Sequence, residues 1–211
     1  GAAWPRHFNR PIALAMNENI KAVGLPTWSE DDQRFAKALQ TLMGSDNPQG
    51  LATDLSGIAE PLETPVSGGS DDIGDISWNV PTVTLRYPAN VSGLQGHHWS
   101  SAMAMATPIA HKGATAGAKV VAATMLDLIQ DPSLVSDAQT YFDEVQTAEV
   151  QYEPFIGPDD EPAIEKNAEI MAQFKPRLEE LYYDASRFDT YLDQLGIEYP
   201  QLEPNLIQRN Q

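Results

Sequence analysis

Cysteine is absent from this 211-residue chain, which excludes disulfides and thiolate metal ligands and leaves histidine and carboxylates as the side chains able to hold a metal. Long apolar runs are missing as well. No stretch approaches the roughly 18 residues that a membrane-spanning helix needs. Basic residues are scarce, 13 Lys and Arg against 30 Asp and Glu, for a formal net charge of −17. That imbalance disfavours attraction to nucleic acid or to an anionic membrane. The first residue is Gly, not Met, and the opening stretch has no signal-peptide pattern, so the start reads as a tag remnant or an internal cut. A targeting signal upstream of a cut would be invisible, which leaves the compartment open between cytoplasm, the default, and periplasm.

What is present suits one domain, or one domain with an appendage. A hydrophobic fraction of 42% is enough to build a core and argues against wholesale disorder. The charge is distributed unevenly. Residues 143–203 carry 16 acidic and 4 basic side chains, so most of the net charge lies in the last third of the chain. Residues 1–150 are rich in Ala, Gly and aliphatics, whereas 151–211 is acidic, punctuated by Pro and rich in Tyr. The cluster Pro154, Gly157, Pro158, Asp159, Asp160 and Pro162 marks the boundary between them.

Pro11 in a first turn and Gly24 as a stop predict a helix over 11–23. Ser29, with Asp32 three residues on, predicts a capped second helix presenting Phe35, Ala38, Leu39 and Leu42. Residues 44–70 read as a long loop. The β-branched and aromatic content of 81–87 predicts a strand. A helix over 108–130 carries Ala114, Gly117, Ala118, Val121, Ala122, Met125, Leu128 and Ile129 at helical spacing, a small-residue face suited to close packing on a sheet. Pro132 opens the next helix, which runs to about 147, and further helices are expected over 163–183 and 185–195.

Chemistry-bearing residues concentrate in 70–99. An acidic glycine turn, Ser70-Asp71-Asp72-Ile73-Gly74-Asp75, precedes the expected strand, and Gly96-His97-His98-Trp99 follows it. Carboxylates and imidazoles at opposite ends of a short strand can converge on a metal. Asp71, Asp72 and Asp75 also fit ordinary turn formers and caps, and Gly68, Gly69 and Gly74 fit turn glycines. Trp78 and Trp99 suit core or pocket-wall packing, and His7 looks incidental. In the tail, Tyr182, Tyr183, Phe188, Tyr191 and Leu195 form an apolar stripe suited to docking or oligomerisation, and Glu165, Glu169, Glu179 and Glu180 spread over a solvated face.

The ordered segments Gly69 to Trp78, Pro81-Thr82-Val83, Gly96-His97-His98-Trp99, Pro108-Ile109-Ala110-His111-Lys112-Gly113 and Ala118 to Thr124 carry a resemblance over about 55 residues. They resemble the C-terminal part of the aminobenzoyl-glutamate utilization protein B group, which shows a GSTDVGDVSW-like turn, a strand, an HTW-like histidine and an IAHKG helix start. Phe8-Asn9-Arg10 through Trp28-Ser29-Glu30 is similar to the same group. The group belongs to the amidohydrolases and metallopeptidases related to aminoacylases and glutamate carboxypeptidases. The resemblance implies an α/β fold, with residues 1–150 the C-terminal segment of a three-layer αβα zinc-peptidase-like catalytic domain and 151–211 an acidic helical extension.

It further implies a two-zinc hydrolase, with Mn or Co as alternatives, that cleaves an amide bond of an N-acyl amino acid or aminobenzoyl-glutamate-like substrate. The general base and most metal ligands would lie in an N-terminal half that is missing here, so the fragment would be inactive alone. A homo-oligomer is expected, with no nucleic acid or membrane partner. By position, His97 matches the family's last metal ligand, although His98 stands where Thr or Asn is common, which leaves open which imidazole points at the metal. Asp72 and Asp75 match the turn's carboxylates, as groups that orient the metal-binding histidine or border the substrate. His111 and Lys112 match the helix start, where backbone N–H groups hold anions. The alternative is a non-catalytic binding or oligomerisation module derived from that fold.

Overall fold

A computed structural model describes residues 3–58 and 71–202. Gly68, Gly69, Ser70 and the end of the expected 44–70 loop lie outside the described residues. The chain divides into two compact units, residues 1–155 and 156–211.

Among its described residues the first unit holds six α-helices. Helix α1 (Arg10–Val23) starts at Asn9, whose Oδ1 accepts the Ile12 N–H at 3.3 Å, and stops at Gly24, where φ is +69°. Asn9 is fully buried and its Nδ2 donates to the Ala138 carbonyl and to Gln146 Oε1, both at 2.9 Å. One capping side chain therefore also ties the helix to the C-terminal part of the unit. Helix α2 (Glu30–Leu42) opens with the expected capping box: Ser29 Oγ accepts the Asp32 N–H at 3.1 Å, and Asp32 Oδ2 accepts the Ser29 N–H at 2.8 Å.

After the short helices α3 (Ile73–Ser77) and α4 (Trp99–Met105) comes the long central α5 (Pro108–Gln130). Asp131 then caps α6 (Pro132–Tyr141), accepting the Ser133 N–H at 2.9 Å, and a π-helical turn follows over Phe142–Gln146. Helix α5 packs on α1, α4 and α6, and α1 packs on α6. The core between them includes Ile12, Met16, Ile109, Val120, Ala138 and Phe142.

The expected α/β three-layer fold is overturned, because the described residues are helical or irregular and contain no strand or sheet. Residues 81–87 show why composition misled. A strand exists only where a neighbour completes its hydrogen-bond ladder. Here the Asn9 N–H reaches the Thr82 carbonyl at 2.8 Å, and no second strand runs alongside among the described residues. The segment instead crosses closely over α5. A Cβ at Gly113 would lie 2.1 Å from the Pro88 carbonyl oxygen, and one at Gly117 would lie 3.1 Å from Tyr87 Cβ. Two glycines of α5 thus make the crossing possible.

The buried face of α5 differs from the expected one too. Ile109, Gly113, Gly117, Val120 and Thr124 point inward, while Ala114, Ala118, Val121, Ala122, Met125 and Ile129 are exposed. Helix α5 carries small and apolar residues on more than one face, so periodicity alone cannot select its inner face. Polar contacts with α1 mark it: Asn19 Nδ2 donates to Thr124 Oγ1 at 3.2 Å and to Asp127 Oδ2 at 2.6 Å.

The second unit holds a 3-10 turn (Ile164–Asn167), α7 (Ala168–Glu179) and α8 (Tyr191–Gln194), none of which carries a buried side chain. The helix expected over 185–195 shrinks to α8 because Asp184 Oδ1 captures the Ser186 N–H and hydroxyl, forming a turn, and Thr190 then caps α8. The tail's aromatics meet each other, with Tyr183 edge-on to Tyr191 at 6.4 Å and Arg187 5.2 Å from the Phe188 ring.

Candidate functional site

The acidic turn folds as α3, a helical turn locked from both sides. Gly74 is required by contact, since a Cβ there would fall 1.7 Å from the Trp4 carbonyl oxygen. Ser77 is fully buried; its Oγ donates to the Gly74 carbonyl at 2.7 Å and accepts the His7 N–H at 3.0 Å. Trp78 Nε1 donates to the Pro5 carbonyl at 2.8 Å, and its ring lies 5.2 Å from Trp4 and 5.1 Å from His7. Trp4 also meets Tyr152 and Phe155 at 5.5 and 5.8 Å.

The three aspartates therefore have different occupations. Asp71 pairs with Arg6 and accepts the Ile73 N–H at 3.2 Å. The Arg6 hydrogen bond, against some opposing desolvation, holds its carboxyl below the usual range. Asp75 accepts the Tyr152 hydroxyl at 3.0 Å; burial first, and this carboxylate second, push the phenol's pKa up. Asp72 is exposed and its side chain makes no capping bond.

His97 and His98 separate cleanly. His98 precedes α4 as its cap, its Nδ1 accepting the Ser100 N–H at 3.3 Å and lying 2.9 Å from Ser100 Oγ. His97 has φ of +54°, a left-handed conformation unusual for a residue other than glycine, and its exposed ring makes no hydrogen bond among the described residues.

The start of α5 reads differently. Lys112 Nζ sits 2.5 Å from Oδ2 of Asp32, a carboxylate only 1% exposed. Burial alone would raise the Asp32 pKa, but the Lys112 bond and the two Ser29 bonds outweigh it, so the group lies below its ordinary 3.8. Lys112 is thus a tie between α5 and α2, Ile109 is fully buried, and Gly113 admits the crossing chain. Of the IAHKG segment, His111 alone among its polar side chains is exposed.

Among the described residues no group of three or more His, Asp or Glu side chains is placed to hold a metal. One imidazole is not a zinc site, which takes at least three protein donors, so the described residues do not by themselves fit the ion. His97 does not join Asp72 and Asp75 in such a group. Trp99, expected in a pocket wall, is 53% exposed. The aromatic cluster of Trp4, His7, Trp78, Tyr152 and Phe155 was not legible in the sequence, because its members come from three distant segments with no shared spacing. No helix of the described residues is long and apolar enough to cross a membrane.

No protein-family profile matches the chain, and no solved structure does. The chain is 28% identical over 153 residues to a p-aminobenzoyl-glutamate hydrolase subunit of Escherichia coli (strain K12), across 62% of this chain and 32% of that protein. It spans about a third of that relative's length, and the match makes it a distant homologue of a hydrolase subunit.

Proposed function

We propose that this chain is part of an amide-bond hydrolase acting on an N-acyl amino acid or an aminobenzoyl-glutamate-like substrate, and that it does not turn over alone. The observation that carries the reading is the likeness to the hydrolase subunit over 62% of the chain. The state of His97, strained, exposed and unengaged beside a His98 committed to capping, supports it as the residue offered to the reaction. In the reading, His97 is one donor toward a zinc ion, with Mn or Co as alternatives, and the remaining donors come from outside the described residues. Residues 1–150 belong to the hydrolase and 151–211 are an acidic helical extension. Asp75 and its Tyr152 partner, Asp72, His98 and His111 border or brace the site, and Lys112 braces α5.

Hydrolysis adds the oxygen of water to the amide carbonyl, breaks the C–N bond and delivers a proton to the leaving nitrogen. The general base for that step is assigned to the portion of the protein beyond these residues. The test is release of p-aminobenzoate from p-aminobenzoyl-glutamate by the native polypeptide that carries this sequence, before and after chelation and with zinc, manganese or cobalt restored. Activity lost on chelation and restored by one metal supports the reading; no amide turnover on any N-acyl amino acid overturns it.

A second reading, a binding or oligomerisation module, is favoured by one observation. The outward face of α5, from Ala114 through Ala118, Val121, Ala122 and Met125 to Ile129, is exposed and carries no charge in a chain of net charge −17. Sedimentation as a stable oligomer, combined with no amide turnover by the native polypeptide, selects it.

A further inference from the structure

Residues 4–7 are each fastened to the rest of the unit. Trp4 Nε1 donates to the Glu153 carbonyl at 2.8 Å, the Pro5 carbonyl accepts Trp78 Nε1, and Arg6 pairs with Asp71. The backbone N–H of His7 donates to Ser77 Oγ, and its carbonyl accepts Gln146 Nε2 at 2.6 Å. Only one of these fasteners carries a group whose ordinary titration lies near neutral pH, the imidazole of His7. Its ring packs against Trp78, and its Nδ1 is buried with no hydrogen-bond partner among the described residues.

We propose that His7 is a proton-controlled clasp: the neutral imidazole holds the N-terminal segment against α3, and the imidazolium releases it. An acceptor lone pair on Nδ1 is tolerated inside an aromatic cluster when the ring proton sits on Nε2. Protonation turns Nδ1 into a charged donor with nothing to receive its hydrogen. Burying a donor without an acceptor is unfavourable, and attraction of the cation to the Trp78 ring offsets only part of that. Leaving the cluster for water satisfies both ring nitrogens at once.

The ionisable groups on the surrounding elements offer no rescue. Arg6, next in sequence, is engaged by Asp71, and Asp75 on α3 is engaged by Tyr152. Asp72 on α3, Asp143 and Glu144 on the π-helical turn, and Glu149 and Glu153 beyond it are exposed, and none bonds the His7 ring. Desolvation lowers the His7 pKa below 6.5. The folded state therefore prefers the neutral ring. Its contribution to stability is complete above about pH 6.5, the unfolded value, and is lost as pH falls from there through the folded value. Because α3 carries Asp75 and is held by the same segment, release would loosen the acidic turn while leaving α1, α5 and α6 packed.

The test follows the His7 ring by NMR in the full chain from pH 8 to 5, together with the Trp78 indole N–H and near-UV circular dichroism. The clasp predicts a His7 midpoint below 6.5, a shared midpoint for the Trp78 indole and the near-UV signal, an unchanged far-UV spectrum, and loss of the step in His7→Phe. A His7 midpoint at or above 6.5, or a near-UV step that persists in His7→Phe, overturns it. If His7→Phe does not fold, the wild-type resonances decide: a common midpoint for His7 and Trp78 supports the clasp, and independent midpoints refute it.

Discussion

Replacing Gly113 by alanine sets two effects of opposite sign against each other. An alanine within a helix is favoured over glycine by about 1 kcal/mol. The added Cβ, however, would sit 2.1 Å from the Pro88 carbonyl oxygen and 2.5 Å from Ala89 Cα, and both neighbours are backbone. Reaching ordinary contact requires a retreat of more than about 1 Å, and the crossing chain is short of room, since the Ala89 N–H is bonded to the Tyr87 carbonyl at 2.7 Å. Overpacking of this kind costs about 3 kcal/mol at the upper end of its range. The net loss is then about 2 kcal/mol, which lowers the melting temperature by roughly 4–8 °C for a unit of this size. Thermal melts followed by circular dichroism at 222 nm measure it. Gly117→Ala is the internal control, because its nearest neighbour, Tyr87 Cβ at 3.1 Å, belongs to a side chain; its change should stay within about 1 kcal/mol. A Gly113→Ala variant as stable as wild type would refute the crossing geometry.

Lys112→Met should cost about 2 kcal/mol, less than the roughly 3–5 kcal/mol of breaking a fully buried pair, because Lys112 keeps partial exposure and Ser29 still bonds Asp32; urea titration reads this as a lower midpoint. With the Asp32 and Asp71 carboxyls both held below 3.8, the unfolded chain binds protons first as pH falls. Stability should be complete above that value and decline through the acid range below it, and Asp32→Asn should flatten the decline in urea midpoint against pH. His98→Ala removes a cap and should cost about 1 kcal/mol of stability with a smaller loss of amide hydrolysis than His97→Ala, which should lower the rate and leave the fold as stable as before.

Local signals were readable because the interactions they report are local. Pro11, Gly24, Ser29 with Asp32, and Pro132 act within one helical turn, and α1 begins and ends within a residue of Pro11 and Gly24, α2 opens directly after Ser29 and α6 opens at Pro132. Failures came where a decision belonged to partners distant in sequence. The β-branched content of 81–87 pointed to a strand, but composition could not say whether a neighbouring strand would be there to pair with it. The small and apolar residues on several faces of α5 could not say that Asn19 would choose its inner face. Gly74 looked like a turn glycine and proved to be a contact glycine under Trp4. The site divides the same way: a sequence motif drew attention to His97 and His98, and only geometry separated the capping ring from the unengaged one. His7 carried no signal in its spacing, since what distinguishes it is the aromatic company brought by α3 and Tyr152.

The most direct test is the release of p-aminobenzoate from p-aminobenzoyl-glutamate by the native polypeptide carrying this sequence, compared with its His97→Ala variant and with the chain alone. Loss of a supporting residue around a metal typically costs 10- to 100-fold, so on the proposed reading of His97 as a donor its removal should cost at least about 100-fold, with the fold intact by circular dichroism and the chain alone showing no turnover. Unchanged hydrolysis in His97→Ala, or turnover by the isolated chain, would contradict the account.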